Sequence, residues 1–408
     1  MFGPYAGMKP CKPIGHLLGL FMALLLFPGV CSAEQEAGLG AKEQRAMAGN
    51  YLVYVGTYTG AKSKGIYAFR MDSASGTLTP LGLAAETPNP SYLSVSPNQK
   101  YLFAANEVGS FKGKPAGSVS AFSIDKETGK LSALNTQSTM GPSPCHLVVD
   151  LEGRNVLVAN YGGSVAVLPI QPGGQLGEAT AFVEQHGKSI LPERQSGPHA
   201  HCVTLTAENH EVFVCDLGLD KILTYQFDSN HGTLTANQPP FVELKPGAGP
   251  RHMTFRPDRN YAYSINELDS TISVLAHDAK KGALAALQTI STLPEGFQGK
   301  NYPAEIEVHR TGKFLYGSNR GHDSIVVFAI DSDKGTLTLV EHQATNGKTP
   351  RGFGIDPTGR FLLAANQDSN TIVVFAIDST TGRLKNTGQI LDVHSPVCVT
   401  FVPLAKAK

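Results

Sequence analysis

Several residues able to do acid–base chemistry recur at a fixed spacing. His146, His252 and Glu305, like Tyr92 and Gly352, stand 14 positions before Asn160, Asn266, Asn319, Asn106 and Asn366 respectively. His201 reads as the same position before Asp216, with one extra residue between them that falls in the intervening turn. His199, Arg251 and Arg351 flank this column. Glu107, Tyr161, Asp216, Asp220, Glu267 and Arg320 occupy the loops it points to, and Arg194 lies in the segment LPERQSGPHAH. A neutral imidazole is the natural base near pH 7, a carboxylate can orient it, and a guanidinium suits two-pronged binding of an oxyanion. Brought together, such groups can activate water beside a held anion. Each also has a plain structural role: a histidine where a strand begins can tie one loop to the next, and Asp216 can cap a turn.

The spacing belongs to a larger repeat. First strands read YLSVS, HLVVD, HCVTL, HMTFR, EIEVH, GFGID and CVTFV, and most are followed by a turn such as SPNQK, RPDRN or DPTGR. Second strands (YLFAA, VLVA, VFVC, YAYSI, FLYGS, FLLAA), third strands (SVSAFSID, TISVLAHD, SIVVFAID) and a Gly-containing turn before an irregular fourth strand complete the unit. Two residues before the first-strand column stand Pro90, Pro144, His199, Pro250, Pro303, Pro350 and Pro396. Four short strands per unit, repeated seven times, predict an all-β, seven-bladed propeller of four-stranded antiparallel blades. The domain opens at Tyr51 with a second-type strand and ends with a spare first-type strand, so the ends are expected to pair and close the ring. Strand one is innermost, which places the column and its loops together at the mouth of the central channel.

Composition narrows the options. Among 408 residues, 34 Lys and Arg balance 34 Asp and Glu, which excludes a dedicated polyanion binder. A hydrophobic content of 41% excludes global disorder. Lys9, Lys12 and His16 precede an apolar run from Leu17 to Val30 and then Cys31-Ser32-Ala33, the order of a secretory signal. We therefore expect a signal over 1–33, a linker over 34–50, the propeller over 51–403 and a tail over 404–408, with export to the periplasm or medium. Cys202 and Cys215 flank a hairpin and can face each other, as a disulfide or as two small core residues.

The segments HLVVD, LPERQSGPHAHCV, CDLGLDKI, GAGPRHMTF, YSINELDSTISV, NYPAEIEVH, YGSNRGHDSIVVF and ANQDSNTIVVF resemble the lactonase family of seven-bladed propellers. That family includes the propeller-type 6-phosphogluconolactonases and the fungal 3-carboxy-cis,cis-muconate lactonizing enzyme. The resemblance implies a hydrolase opening a sugar-derived lactone, with His146, Arg194, His201, Asp216, Arg251 and Glu305 catalytic and His199, His252, Glu267, Arg320 and Arg351 binding substrate. His201 or His146 is the expected base, oriented by Glu305 or Asp216. Arg194 and Arg251 would hold the oxyanion or an anionic substituent, with Arg320 and Arg351 as outer anion contacts. The alternatives are ring closure of a muconate on the same side chains, or a non-catalytic propeller binding at its rim.

His199-x-His201 with Glu305 could ligate a metal, but the resemblance implies none and no cofactor is expected. The expected partner is a small, anionic lactone, met by a monomer. Neither nucleic acid nor stable membrane insertion after signal cleavage is expected.

Overall fold

The computed structural model describes residues 49–404. The expected signal and most of the linker lie outside the described residues, as do all but the first residue of the tail. Described residues form twenty-eight strands and no helix, from β1 (Asn50–Thr57) to β28 (Pro396–Pro403), in seven four-stranded antiparallel sheets. The innermost strands are β4 (Pro90–Val95), β8 (Pro144–Val149), β12 (Ala200–Leu205), β16 (Pro250–Phe255), β20 (Tyr302–Val308), β24 (Pro350–Ile355) and β28. The blade led by β28 continues with β1, which pairs with it from Tyr51↔Pro403 to Thr57↔Pro396. The two ends of the propeller thus share one sheet, which closes the ring.

The hydrophobic core is divided among the gaps between blades. One cluster joins Val53, Val55, Phe69 and Met71 of the first sheet to Leu363, Ile372 and Val374 of the last. Six further clusters fill the remaining gaps. A second strand is covered on both faces by neighbouring blades, so it reads as an apolar run and not as an alternation. Every residue of NVLVAN (155–160) and EVFVCD (211–216) is accordingly buried. The recurring asparagines end these strands fully buried. Four of their five amides donate to carbonyl oxygens of the loop feeding the inner strand: Asn106 to Pro88 at 2.7 Å, Asn319 to Thr292 at 2.8 Å, Asn160 to Thr139 at 3.2 Å and Asn366 to Thr345 at 3.3 Å.

All seven inner strands carry a β-bulge near their start, just after the first paired residue in six and after the second, Pro303, in β20. A bulge places two residues of one strand opposite one of its partner and re-aims the side chains. It also corrects the register read for the fourth copy. Ala200 pairs with Asp216 as Pro144 pairs with Asn160 and Pro250 with Asn266, so that hairpin has no insertion. Ala200, not His199, holds the proline position. Cys202, not His201, aligns with His146 and His252, while His201 falls on the bulge with Arg251 and Arg351. The misreading arose because bulge residue and next residue are adjacent in sequence and both reach the channel. At the ladder pair that proline occupies in six blades, the missing N–H is tolerated. Ala200→Pro is therefore expected to leave thermal stability unchanged or raise it by up to about 1 kcal/mol. His199→Pro loses the amide that Asp216 accepts at 2.8 Å and is expected to lower it. Equal losses in a melting experiment would contradict this register.

Candidate active site

The bulge creates two tiers at the channel mouth. The upper tier holds the bulge residues Cys145, His201, Arg251 and Arg351; the lower holds Tyr92, His146, Cys202, His252 and Glu305. A cavity of about 300 Å³ opens above, lined by Glu107, Tyr161, Arg194, His201, Glu267, Tyr302, Arg320 and Arg351. Glu107, Tyr161 and Glu267 each follow the recurring asparagine of their blade, and Arg320 follows Asn319 in the same way, so one column of the repeat supplies four of these walls. Two larger clefts, of about 460 and 670 Å³, flank the loop around Phe111, but neither contains a histidine, arginine or cysteine.

Glu267 organises the cavity. Its Oε1 accepts from Arg194 Nη2 at 2.5 Å, and its Oε2 accepts from Arg320 Nη2 at 2.7 Å and Arg251 Nε at 3.1 Å. Burial alone would raise this carboxyl, but Arg320, Arg251 and Arg194 outweigh it and hold it at about 2. Arg351 Nη2 lies 3.8 Å from Glu107 Oε2, which already accepts from the Tyr58 hydroxyl at 2.8 Å. Four guanidiniums thus face two carboxylates, leaving the mouth with surplus positive charge. Burial first, then Arg251, His252 and Arg351, push the His201 ring well below its usual 6.5, so it is neutral at pH 7.

The lower tier forms a plug under this cavity. His146 stacks on Tyr92 at 4.0 Å between ring centroids and lies 5.0 Å from His252, which is 5.2 Å from His201. His252 Nδ1 donates to Glu305 Oε1 at 2.8 Å. Burial raises Glu305 to about 7 despite Arg251. Below the plug a second cavity of about 220 Å³ contains Glu305, Glu307 and Thr400. There burial, followed by repulsion from Glu305, raises Glu307 to about 8.

The structure brings Arg194, His201, Glu267, Arg320 and Arg351 to one cavity and places the other expected residues around it. Arg251 is fully buried behind Glu267, its Nη1 donating to the Ala304 carbonyl at 2.8 Å. Arg320 and Arg351, expected as outer contacts, line the cavity itself. Glu305 orients His252, not His146 or His201, because the bulge puts His201 one tier higher. Asp216 touches no imidazole: its Oδ1 accepts the backbone amides of His199, Gly218 and Leu219 at 2.8–3.0 Å. As the one aspartate in an asparagine column it cannot donate, and so it gathers N–H groups. Its buried Oδ2 is unpartnered, and burial raises the carboxyl to about 6. His199 stacks on Tyr161 at 4.3 Å and donates Nδ1–H to the Tyr161 carbonyl at 2.8 Å.

His199, His201 and Glu305 do not converge as metal ligands, since each is turned to a different partner. No group of three or more ligating side chains among the described residues is arranged for a metal ion. Cys202 and Cys215 are directly opposed in the ladder, as read, and both are free thiols.

Tyr58 and Tyr302 were not legible as site residues, although a signal existed for each. Thr57 takes the asparagine place in β1, so Tyr58 belongs to the column of Glu107 and Glu267. Tyr302 precedes Pro303 as His199 precedes Ala200.

Comparison with known proteins agrees with this architecture. The seven-bladed β-propeller lactonase family matches residues 52–401. The chain belongs to that family. A 6-phosphogluconolactonase of Bacillus subtilis is 39% identical over 86% of this chain and 98% of its own. One from Pectobacterium atrosepticum is 34% identical over 75% and 84%. The solved structure of a periplasmic gluconolactonase from Pseudomonas aeruginosa superposes with a TM-score of 0.81 at 37% identity, covering 87% of this chain and all of that one. Within this lactonase propeller, no helix of the described residues is long and apolar enough to cross a membrane.

The Glu267 hub gives this lactonase a measurable acid response. A carboxyl held at about 2 against an ordinary 4.5 contributes stability that is complete above 4.5 and is lost as pH falls from there through 2. Glu267→Gln strands three guanidiniums and is expected to cost about 3 kcal/mol or more at pH 6. Urea unfolding should show the gap to wild type narrowing towards pH 2–3. A small, pH-independent gap would contradict the role given to the hub.

Proposed function

We propose that the upper cavity hydrolyses a sugar-derived lactone carrying an anionic group, with His201 as base. The supporting observation is a neutral, buried imidazole that lines a cavity with surplus positive charge. His201 takes a proton from water as the water oxygen attacks the lactone carbonyl carbon. Arg351, on the neighbouring wall, stabilises the oxyanion that forms. As the intermediate collapses, the ring C–O bond breaks and the His201 imidazolium returns its proton to the leaving oxygen. The product is a hydroxy acid, whose carboxyl group gives up its proton to solvent and is ionised at neutral pH.

Arg194 and Arg320 are each tied to Glu267 through one nitrogen and keep further N–H groups for a phosphate or carboxylate on the substrate. Arg251, Glu267 and the plug of Tyr92, His146, His252 and Glu305 hold these groups in place. Asp216 and His199 shape the loop that leads into β12. The names of the Bacillus and Pectobacterium relatives support lactone opening, and that of the periplasmic Pseudomonas relative supports the export read from the N-terminal sequence.

His201→Asn keeps the size and polarity of the side chain but removes the base. It is expected to lower kcat by about 10²–10⁴, while His146→Asn, one tier below, acts mainly through packing. A base works unprotonated, and the lowered His201 value extends the rate plateau below pH 6.5. Steady-state lactone turnover from pH 5 to 8 checks both points. Wild-type rates in His201→Asn would reject the assignment.

A further inference from the structure

The base needs a particular tautomer. For Nε2 of His201 to accept a proton from water, the ring proton must sit on Nδ1. Nothing in the mechanism above fixes it there.

Cys145, from the neighbouring blade, occupies the same bulge tier as His201 and is buried. Its Sγ lies 3.7 Å from His201 Nδ1, within reach of an N–H···S bond. The same sulfur is surrounded by carbonyl oxygens: Ala200 at 3.6 Å, His201 at 3.7 Å and Ala159 at 3.8 Å. A thiol has one hydrogen, and three carbonyl acceptors compete for it, which leaves sulfur lone pairs towards the imidazole. The His201 carbonyl also favours a proton on the ring. Of the titratable groups facing His201, Arg251 and Arg351 have no acceptor to offer, and the His252 ring, its centroid 5.2 Å away, makes no hydrogen bond to it. Among the described residues, no protein group bonds His201 Nε2, and the residue lines the cavity.

We propose that Cys145 is a positioning residue for the reaction: its sulfur accepts Nδ1–H of His201 and so leaves the Nε2 lone pair as the one available to water. This rests on the reading of His201 as base. A thiol suits the task better than the carboxylate that orients His252. A carboxylate beside the ring would favour the imidazolium, whereas a neutral sulfur fixes the tautomer and leaves the ring uncharged. Burial pushes the Cys145 thiol up, so it stays neutral itself.

The test reads the tautomer directly. In protein labelled with ¹⁵N-histidine, long-range ¹H–¹⁵N spectra distinguish Nδ1–H from Nε2–H, and His201→Asn identifies the signal. Wild type is expected to show Nδ1–H at His201 without substrate. Cys145→Ala should show a mixed or reversed tautomer, with kcat down about tenfold and KM within about twofold. Cys145→Ser, whose hydroxyl oxygen also accepts, should recover most of both.

A wild-type Nε2–H signal, or a Cys145→Ala protein with unchanged tautomer and kcat, overturns the proposal. If Cys145→Ala does not fold, the wild-type spectrum and Cys145→Ser decide. The two readings fail separately. A protein that opens no lactone but loses the Nδ1–H signal in Cys145→Ala refutes the reaction and keeps the contact. One whose activity needs His201 but whose ring carries Nε2–H refutes the contact alone.

Discussion

One buried carboxylate carries the charge balance of the mouth. Glu267 accepts from Arg194, Arg251 and Arg320, which come from three successive parts of the ring: the connection into β12, the bulge of β16 and the end of the strand that follows β20, Phe314–Arg320. Without it, like charges would repel across a space of about 300 Å³. With it, they are fixed at hydrogen-bonding distance yet remain in excess, so the cavity keeps its attraction for an anion. Burial first, and then the same surplus, disfavours the protonated form of His201, which in the proposed reaction keeps the imidazole available as a base. In that proposal anion binding and base strength are set by one arrangement.

The propeller permits this arrangement through a small irregularity repeated seven times. A regular strand would send alternate residues into the channel, one per turn of the pleat. The bulge sends two neighbours to the same side and so doubles the functional positions at each inner strand. The upper member faces the cavity, as His201 and Arg351 do, or backs it, as Cys145 and Arg251 do. The lower member builds the plug of Tyr92, His146, His252 and Glu305, which separates the upper cavity from the one containing Glu307. The buried asparagines hold the incoming loops, so the mouth rests on rigid sheet and not on free loop.

Fold and mouth were legible because the repeat is written in columns: proline, polar ring residue, asparagine. Pairing of Tyr51 with the last strand followed from counting strand types, although β1 opens one residue earlier, at Asn50. The fourth copy was misread because His199-Ala200-His201 offers two histidines and no proline, and only pairing of Ala200 with Asp216 settles the register. Partner choice was less legible. Glu305 and His201 share a funnel in the sequence reading, but one tier separates them, and the carboxylate meets His252. Asp216 looks by type like the carboxylate that orients the base, whereas its place at a strand end makes it an acceptor for loop amides. Tyr302 lies outside the columns that drew attention, and its role follows from the neighbouring proline alone.

In the proposed function, surplus guanidinium charge around a neutral imidazole makes this propeller an opener of anionic lactones. The most direct measurement is acid release on a matched set of sugar lactones, neutral, carboxylated and phosphorylated, at low and high salt. The anionic members are expected to show a higher kcat/KM, by about tenfold or more, with an advantage that shrinks as salt screens the mouth. Failure to open any of them, or a preference for the neutral lactone at every ionic strength, would contradict it.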